Sequence, residues 1–183
     1  ENAAELGYAV AVIATGGKLI DFAKKNMLAH IVLPDTGIQP RSALGFSLIA
    51  LATFVDSAQG SADFALVEEI KKVGSSLQPT NFNKTGASLA EDLKGKVPIV
   101  YASRENLSLA YNWKIKCNET GKIPAFYNVI PELNHNEMTG FDVVPETKDL
   151  SSGFYFIFLT DENDSPKIQK RMEILQKLYT ERG

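Results

Sequence analysis

The chain alternates short apolar runs with longer segments in which apolar residues recur every three or four positions, the pattern of strands followed by helices. Tyr8 to Ala14 is a continuous apolar run suited to a strand buried on both faces, and Thr15-Gly16-Gly17 leads from it into a short helix, Lys18 to Lys25. Leu28 to Leu33 is a second strand. Turn residues fill Pro34 to Pro40, and Arg41 to Val55 reads as a very apolar helix that needs cover on most sides. Ser61 to Val73 is an amphipathic helix, and Ser75 to Gly86, with its Gln, Pro, Asn and Gly, is the expected linker. Beyond it the pattern restarts with a helix over Ala87 to Leu93, a strand over Val97 to Ala102, and a helix over Glu105 to Thr120 stopped by Gly121 at its C′ position. Ala125 to Ile130 and Phe154 to Leu159 are the remaining strands, separated by an irregular stretch to Ser152. The last helix takes Ser165 as N-cap, Pro166 as its first residue, and Ile168, Met172, Leu175 and Leu178 as its buried stripe.

Strands alternating with helices predict an α/β fold, a three-layer αβα sandwich with parallel sheets and right-handed crossovers. The expected organisation is a first α/β domain over residues 1–74, a linker and helix over 75–95, and a second α/β domain over 96–183.

Composition narrows the function classes. With 44% hydrophobic and 22% charged residues over 183 positions, the chain has enough apolar material for a full core. A net charge of -3 without a basic cluster leaves no electrostatic footprint for nucleic acid or an anionic membrane surface, so neither is an expected partner. The single Cys117 excludes an internal disulfide framework and a cysteine-based zinc site, and fits a reducing compartment, with cytoplasm the expectation. No apolar run reaches the roughly 18 residues of a membrane span; the longest, Ala43 to Val55, is interrupted by Gly45 and Ser47. The opening Glu1-Asn2 has neither Met nor a basic n-region, so no signal peptide is expected here and the natural N-terminus is expected elsewhere.

The densest chemistry lies in Pro131-Glu132-Leu133-Asn134-His135-Asn136-Glu137-Met138, directly after a predicted strand. Two Asn flanking a His can fix its tautomer, and neighbouring Glu residues can bias its protonation, which suits proton transfer near neutral pH. The same polar cluster also suits plain capping, with Asn134 or Asn136 starting a short helix through Thr139. Glu119 sits in the last turn of its helix, where the negative end of the dipole disfavours a carboxylate; that is the setting of a poised base and equally of a solvated surface charge. Glu132 and Glu137 are runner-up carboxylates. In the same helix Leu109, Trp113 and Cys117 share one face at four-residue spacing, which predicts core positions and an inert thiol.

The Thr15-Gly16-Gly17-Lys18 turn offers backbone N–H groups to an anion, making Gly16 and Gly17 candidate substrate-binding residues, although it lacks the Walker and Rossmann spacings and also serves as a tight βα turn. Arg41 in Gln39-Pro40-Arg41-Ser42 puts a guanidinium at a helix N-terminus, unfavourable for a cation unless it serves an anion. His30 has no His or Cys companion at ligand spacing and reads as a packed or hydrogen-bonded histidine; no metal site is assigned.

Taken together, Ala14-Thr15-Gly16-Gly17-Lys18-Leu19, Gln39-Pro40-Arg41-Ser42-Ala43-Leu44, Pro98-Ile99-Val100-Tyr101 and Pro124-Ala125-Phe126-Tyr127 running into Pro131-Glu132-Leu133-Asn134-His135-Asn136-Glu137 resemble the bifunctional phosphoglucose/phosphomannose isomerases, which consist of two sugar isomerase (SIS) domains. The resemblance covers essentially the whole chain in order, and its last motif is the most specific. It implies reversible conversion of glucose 6-phosphate and mannose 6-phosphate into fructose 6-phosphate without metal or redox cofactor. On this chain it implies that Glu119 is the base moving a proton between C2 and C1 through a cis-enediolate, and that Arg41 stabilises the enediolate charge. His135 would assist ring opening in the neighbouring subunit's site, which implies a homodimer. Proton abstraction beside a carbonyl calls for such a base, electrophile and ring-oxygen acid. With Arg41 in the first half and Glu119 and His135 in the second, the site is expected between the domains, where α/β sheets often hold ligands.

The chain departs from that family pattern at both ends. The Ser/Thr-rich phosphate loop and the C-terminal lysine have no counterpart, so the chain is expected to be a fragment running from the end of the first SIS domain through most of the second. Three alternatives remain: another SIS-fold isomerase acting on glucosamine 6-phosphate or a pentose phosphate, a non-catalytic phosphosugar-binding module, and an assembly domain built on the apolar Ala43 to Val55 helix.

Overall fold

A computed structural model describes residues 2–60 and 63–182, which divide into two compact units, Glu1–Phe82 and Asn83–Gly183. In the first, α1 (Asn2–Glu5) precedes β1 (Ala11–Ala14), α2 (Gly17–Lys25) and β2 (Ala29–Val32), and the two strands pair in parallel with Ala11 opposite Ala29. Val12, Ile20 and Ala23 form a small core, backed by Ala14 and Leu28. The strand expected over Tyr8 to Ala14 is shorter, and only Val12 in it is buried, because among the described residues this sheet has just two strands. A 3₁₀ turn, Pro40–Ser42, carries Arg41, and the long apolar helix α3 (Leu44–Ala58) starts after it rather than at Arg41. α4 (Ala65–Ser76) follows; the start expected for it at Ser61 lies outside the described residues. The buried Asp56 of α3 accepts hydrogen bonds from the first-turn N–H groups of α4, Leu66 at 3.3 Å and Val67 at 3.0 Å. A carboxylate at a helix N-terminus satisfies donors that have no partner within the helix.

Where a linker was expected, α5 (Pro79–Asp92) begins two residues after the C-cap of α4. Pro79 stands at its first position, where a missing N–H costs nothing. Its second half coincides with the helix expected over Ala87 to Leu93, its first half takes the place of the expected linker, and none of its residues is buried.

The second unit is a three-layer sandwich. β3 (Val97–Ser103) lies at the centre of a parallel sheet ordered β4-β3-β5, with α6 (Leu107–Glu119) leading to β4 (Phe126–Ile130). After β4 come a 3₁₀ turn at Glu132–Asn134, two single-turn helices, α7 (Glu137–Gly140) and α8 (Lys148–Ser151), then β5 (Phe154–Phe158) and the long α9 (Pro166–Arg182). Alternation along β3 sorts the two faces. Val100 and Ala102 pack against Ala110 of α6; Ile99 and Tyr101 pack with Ile130, Leu133 and the Met172, Leu175 and Tyr179 stripe of α9. Burying the side chains of Met172 and Leu175 stabilises the unit by about 1.5–3 kcal/mol each. The parallel sheets with helical layers agree with the fold expected from the sequence.

The face expected of α6 is corrected. Leu109 is 56% and Trp113 39% exposed, while Ala110 is fully buried. A methyl group lets the helix lie close on Val100 and Ala102, so the small residue, not the large ones, marks the packed side. Cys117 is half-buried, and burial pushes its thiol pKa up, in keeping with an inert residue.

Candidate functional site

The candidates fall in both units, and each unit presents its own set. In the first, Gly16 and Gly17 occupy the turn from β1 into α2, exposed, with Gly17 at φ 71°. Space for a Cβ is open there, so the left-handed backbone is what asks for glycine at this turn. Arg41 is half-buried in the 3₁₀ turn ahead of α3. His30 in β2 bonds through Nδ1 to the Leu28 carbonyl at 2.9 Å, the packed histidine that the sequence suggests.

In the second unit Glu119 is the last residue of α6 and is exposed. The turn beneath it is tightly made: the Thr120 and Gly121 N–H groups donate to the Lys116 carbonyl at 2.9 and 3.1 Å, and Asn118 Nδ2 donates to the Ile123 carbonyl at 2.9 Å. Gly121 is needed here for space, since a Cβ would stand 2.7 Å from the Cys117 carbonyl oxygen; the left-handed residue of this helix end is Lys122, at φ 56°.

His135 is exposed, and the segment that carries it folds onto the opposite face of the sheet from α6. Leu133 is its anchor, fully buried among Ile130, Tyr101 and Leu175, with Met138 and Phe141 packed beside them. Asn136 occupies the N-cap position of α7 without a side-chain bond to it, so simple capping does not account for the polar residues. Asn134 Oδ1 instead accepts from Arg171 Nη1 of α9 at 3.3 Å, and Arg182 donates to the Met138 and Phe141 carbonyls, each at 3.2 Å, while pairing with Asp142.

The two runner-up carboxylates differ sharply. Glu132 is exposed, whereas the half-buried Glu137 accepts from Tyr101 Oη at 2.6 Å through one oxygen and from Asn128 Nδ2 through the other. Tyr101 and Asn128 face each other in the β3–β4 register. Burial, and then the bond to Glu137, push the Tyr101 hydroxyl far above the ordinary tyrosine range, and burial likewise raises Tyr179 beside it. Tyr101 therefore stays a donor at any physiological pH. Asn128 does not stand out in the sequence, and Tyr101 does so only within the Pro98–Tyr101 motif; the register unites them.

At the C-terminal edge of the sheet a second polar group closes the loops after β3 and β5. Asn106 Nδ2 donates to Asp161 Oδ2 at 3.0 Å and to Ser103 Oγ at 3.1 Å. That amide, then the Asn163 backbone N–H, holds the Asp161 carboxyl below its usual range. Nothing in the local sequence marks these residues for a role.

Residues 82–183 match the family described as the bacterial phospho-glucose isomerase C-terminal SIS domain. Over its full length the chain is 28% identical to a bifunctional phosphoglucose/phosphomannose isomerase of Aquifex aeolicus, covering 54% of that protein. It is 35% identical to one of Caldicellulosiruptor bescii over 97% of this chain and 54% of the relative. A D-glucosamine-6-phosphate 4-epimerase of Sulfolobus acidocaldarius is 32% identical over 75% of this chain and 44% of its own length. The chain thus spans about half the length of the curated relatives it matches. No solved structure matches it significantly. Among the described residues no helix is long and apolar enough to cross a membrane.

Proposed function

The chain belongs to the family of the bacterial phospho-glucose isomerase C-terminal SIS domain, and on that premise we propose that the whole protein is an aldose–ketose isomerase that interconverts glucose 6-phosphate and mannose 6-phosphate with fructose 6-phosphate. The observation that carries the reading is the similarity to bifunctional phosphoglucose/phosphomannose isomerases along all or nearly all of this chain.

In this reading Glu119 removes the C2 proton of the open-chain aldose. The electrons of that C–H bond form the C1–C2 double bond, and the C1 carbonyl oxygen takes the negative charge, with Arg41 in the role of stabilising it. Glu119 returns its proton to C1 and the C2 hydroxyl becomes the ketone, its proton passing to O1. Electrons balance within the sugar, so no external oxidant or reductant is needed. Once C2 is trigonal its configuration is lost, so glucose and mannose 6-phosphates share one enediolate. His135 opens the ring by proton transfer at the ring oxygen, and the Gly16 and Gly17 amides assist in holding the substrate. The working assembly is a homodimer with shared sites, in the cytoplasm, serving hexose phosphate interconversion in glycolysis and gluconeogenesis.

A coupled assay of the full-length protein with both aldose 6-phosphates tests this, with Glu119→Gln as control. Turnover of both, abolished in the variant, is the expected result; activity unchanged in the variant overturns the role of Glu119. The similarity to a D-glucosamine-6-phosphate 4-epimerase supports a second reading, epimerisation of an amino sugar phosphate, which is favoured if the assay finds no turnover of either hexose 6-phosphate and glucosamine 6-phosphate is converted instead.

A further inference from the structure

Glu137 lies two residues from His135, yet its carboxylate is turned inward, away from solvent chemistry. Both of its partners are held by contacts of their own. Tyr101 is fully buried, with the rings of Phe156, Phe158 and Tyr179 centred 5.7, 5.5 and 6.3 Å from its own. Asn128 has its amide orientation fixed, because its Oδ1 accepts from the Val129 N–H at 2.8 Å and so leaves Nδ2 for Glu137. A loop anchored only by Leu133 would have one point of attachment to the sheet. On the far side of His135, beside the packing of Met138 and Phe141, Glu137 adds a hydrogen-bonded attachment to the strands, and Arg171 and Arg182 clamp the same segment from α9.

We propose that Glu137 is a positioning residue for His135, fixing the Asn134–Met138 segment on the sheet through its paired bonds to Tyr101 and Asn128. The proposal rests on the isomerase reading for the consequence in turnover, and on this chain's own geometry for the fixing of the segment. Glu137 itself touches no substrate. Its loss leaves the imidazole present but misplaced, and a displacement of about 1 Å in a catalytic group lowers turnover by up to about 100-fold.

The exchange Glu137→Gln tests this with a built-in rescue. The new amide oxygen still accepts from Tyr101, but the new NH₂ meets Asn128 Nδ2 donor to donor. Adding Asn128→Asp turns that clash into a hydrogen bond, and the other oxygen at position 128 still accepts from Val129. In the full-length protein, Glu137→Gln is expected to lower kcat for glucose 6-phosphate by about 10- to 100-fold with KM little changed. The Glu137→Gln/Asn128→Asp pair recovers most of the loss, and adding Glu137→Gln to His135→Ala costs nothing further. Full additivity with His135→Ala, or no rescue by the pair, overturns the proposal. Amide exchange over residues 132–139 is read in parallel, with Tyr101→Phe, which removes one of the two bonds, as second variant. Faster exchange in both single variants, reversed in the pair, supports the fixing even if the wild type turns over no hexose phosphate and the isomerase reading fails; unchanged exchange overturns it.

Discussion

Glu119 and His135 are carried on opposite faces of one three-stranded sheet: Glu119 ends the helix that packs on Val100 and Ala102, and the His135 segment packs with Ile99 and Tyr101. A sheet lies between them. If both act on one sugar, the two residues come from different copies of the chain. A mixture of Glu119→Gln and His135→Ala proteins, each strongly impaired alone, is therefore expected to regain activity on co-refolding. Random pairing gives one intact site in half of the dimers, about a quarter of wild-type activity for a symmetric dimer. Absence of recovery in verified mixed dimers contradicts sharing.

Tyr101 predicts an alkaline limit to stability. An unfolded tyrosine ionises near pH ~10, while burial first and Glu137 second keep the folded Tyr101 protonated well above that. Above the unfolded value the unfolded chain holds fewer protons than the folded one, so stability falls as pH rises; below it this residue adds no pH dependence. The wild type is expected to lose stability about 1.4 kcal/mol per pH unit more steeply than Tyr101→Phe above pH ~10. Denaturant unfolding at several alkaline pH values reads this, and equal slopes would contradict it.

Ala110 and Leu109 test which side of α6 is packed. Ala110→Leu adds volume against Val100 and Ala102 and is expected to destabilise by about 1–3 kcal/mol. Leu109→Ala, at an exposed position of this chain, stays within about 0.5 kcal/mol. Urea unfolding of this chain measures both, and the reverse order would restore the face that periodicity suggests.

These cases also show how much the sequence discloses. The strands Val97 to Ala102, Ala125 to Ile130 and Phe154 to Leu159, and the stripe of α9, were legible because runs and periods of large apolar residues mark burial directly. The packed face of α6 was not, because alanine marks it, and of α5 only the second half was, because Pro79 to Gly86 is rich in turn residues. Within the candidate site, residue types pointed to Glu119, His135 and Arg41, but Glu137 looked like a spare carboxylate. Its inward role depends on Tyr101 meeting Asn128, a register between strands more than twenty residues apart. Local spacing carries no trace of that pairing.

The most direct test of the proposed chemistry follows the proton. Glucose 6-phosphate is incubated with the full-length protein in D₂O and deuterium is located in recovered substrate and product by NMR. The enediolate account predicts deuterium at C2 of the aldose and C1 of fructose 6-phosphate, and none with Glu119→Gln. Product formed with Glu119→Gln at the wild-type rate, or change at another carbon with C2 untouched, would contradict it.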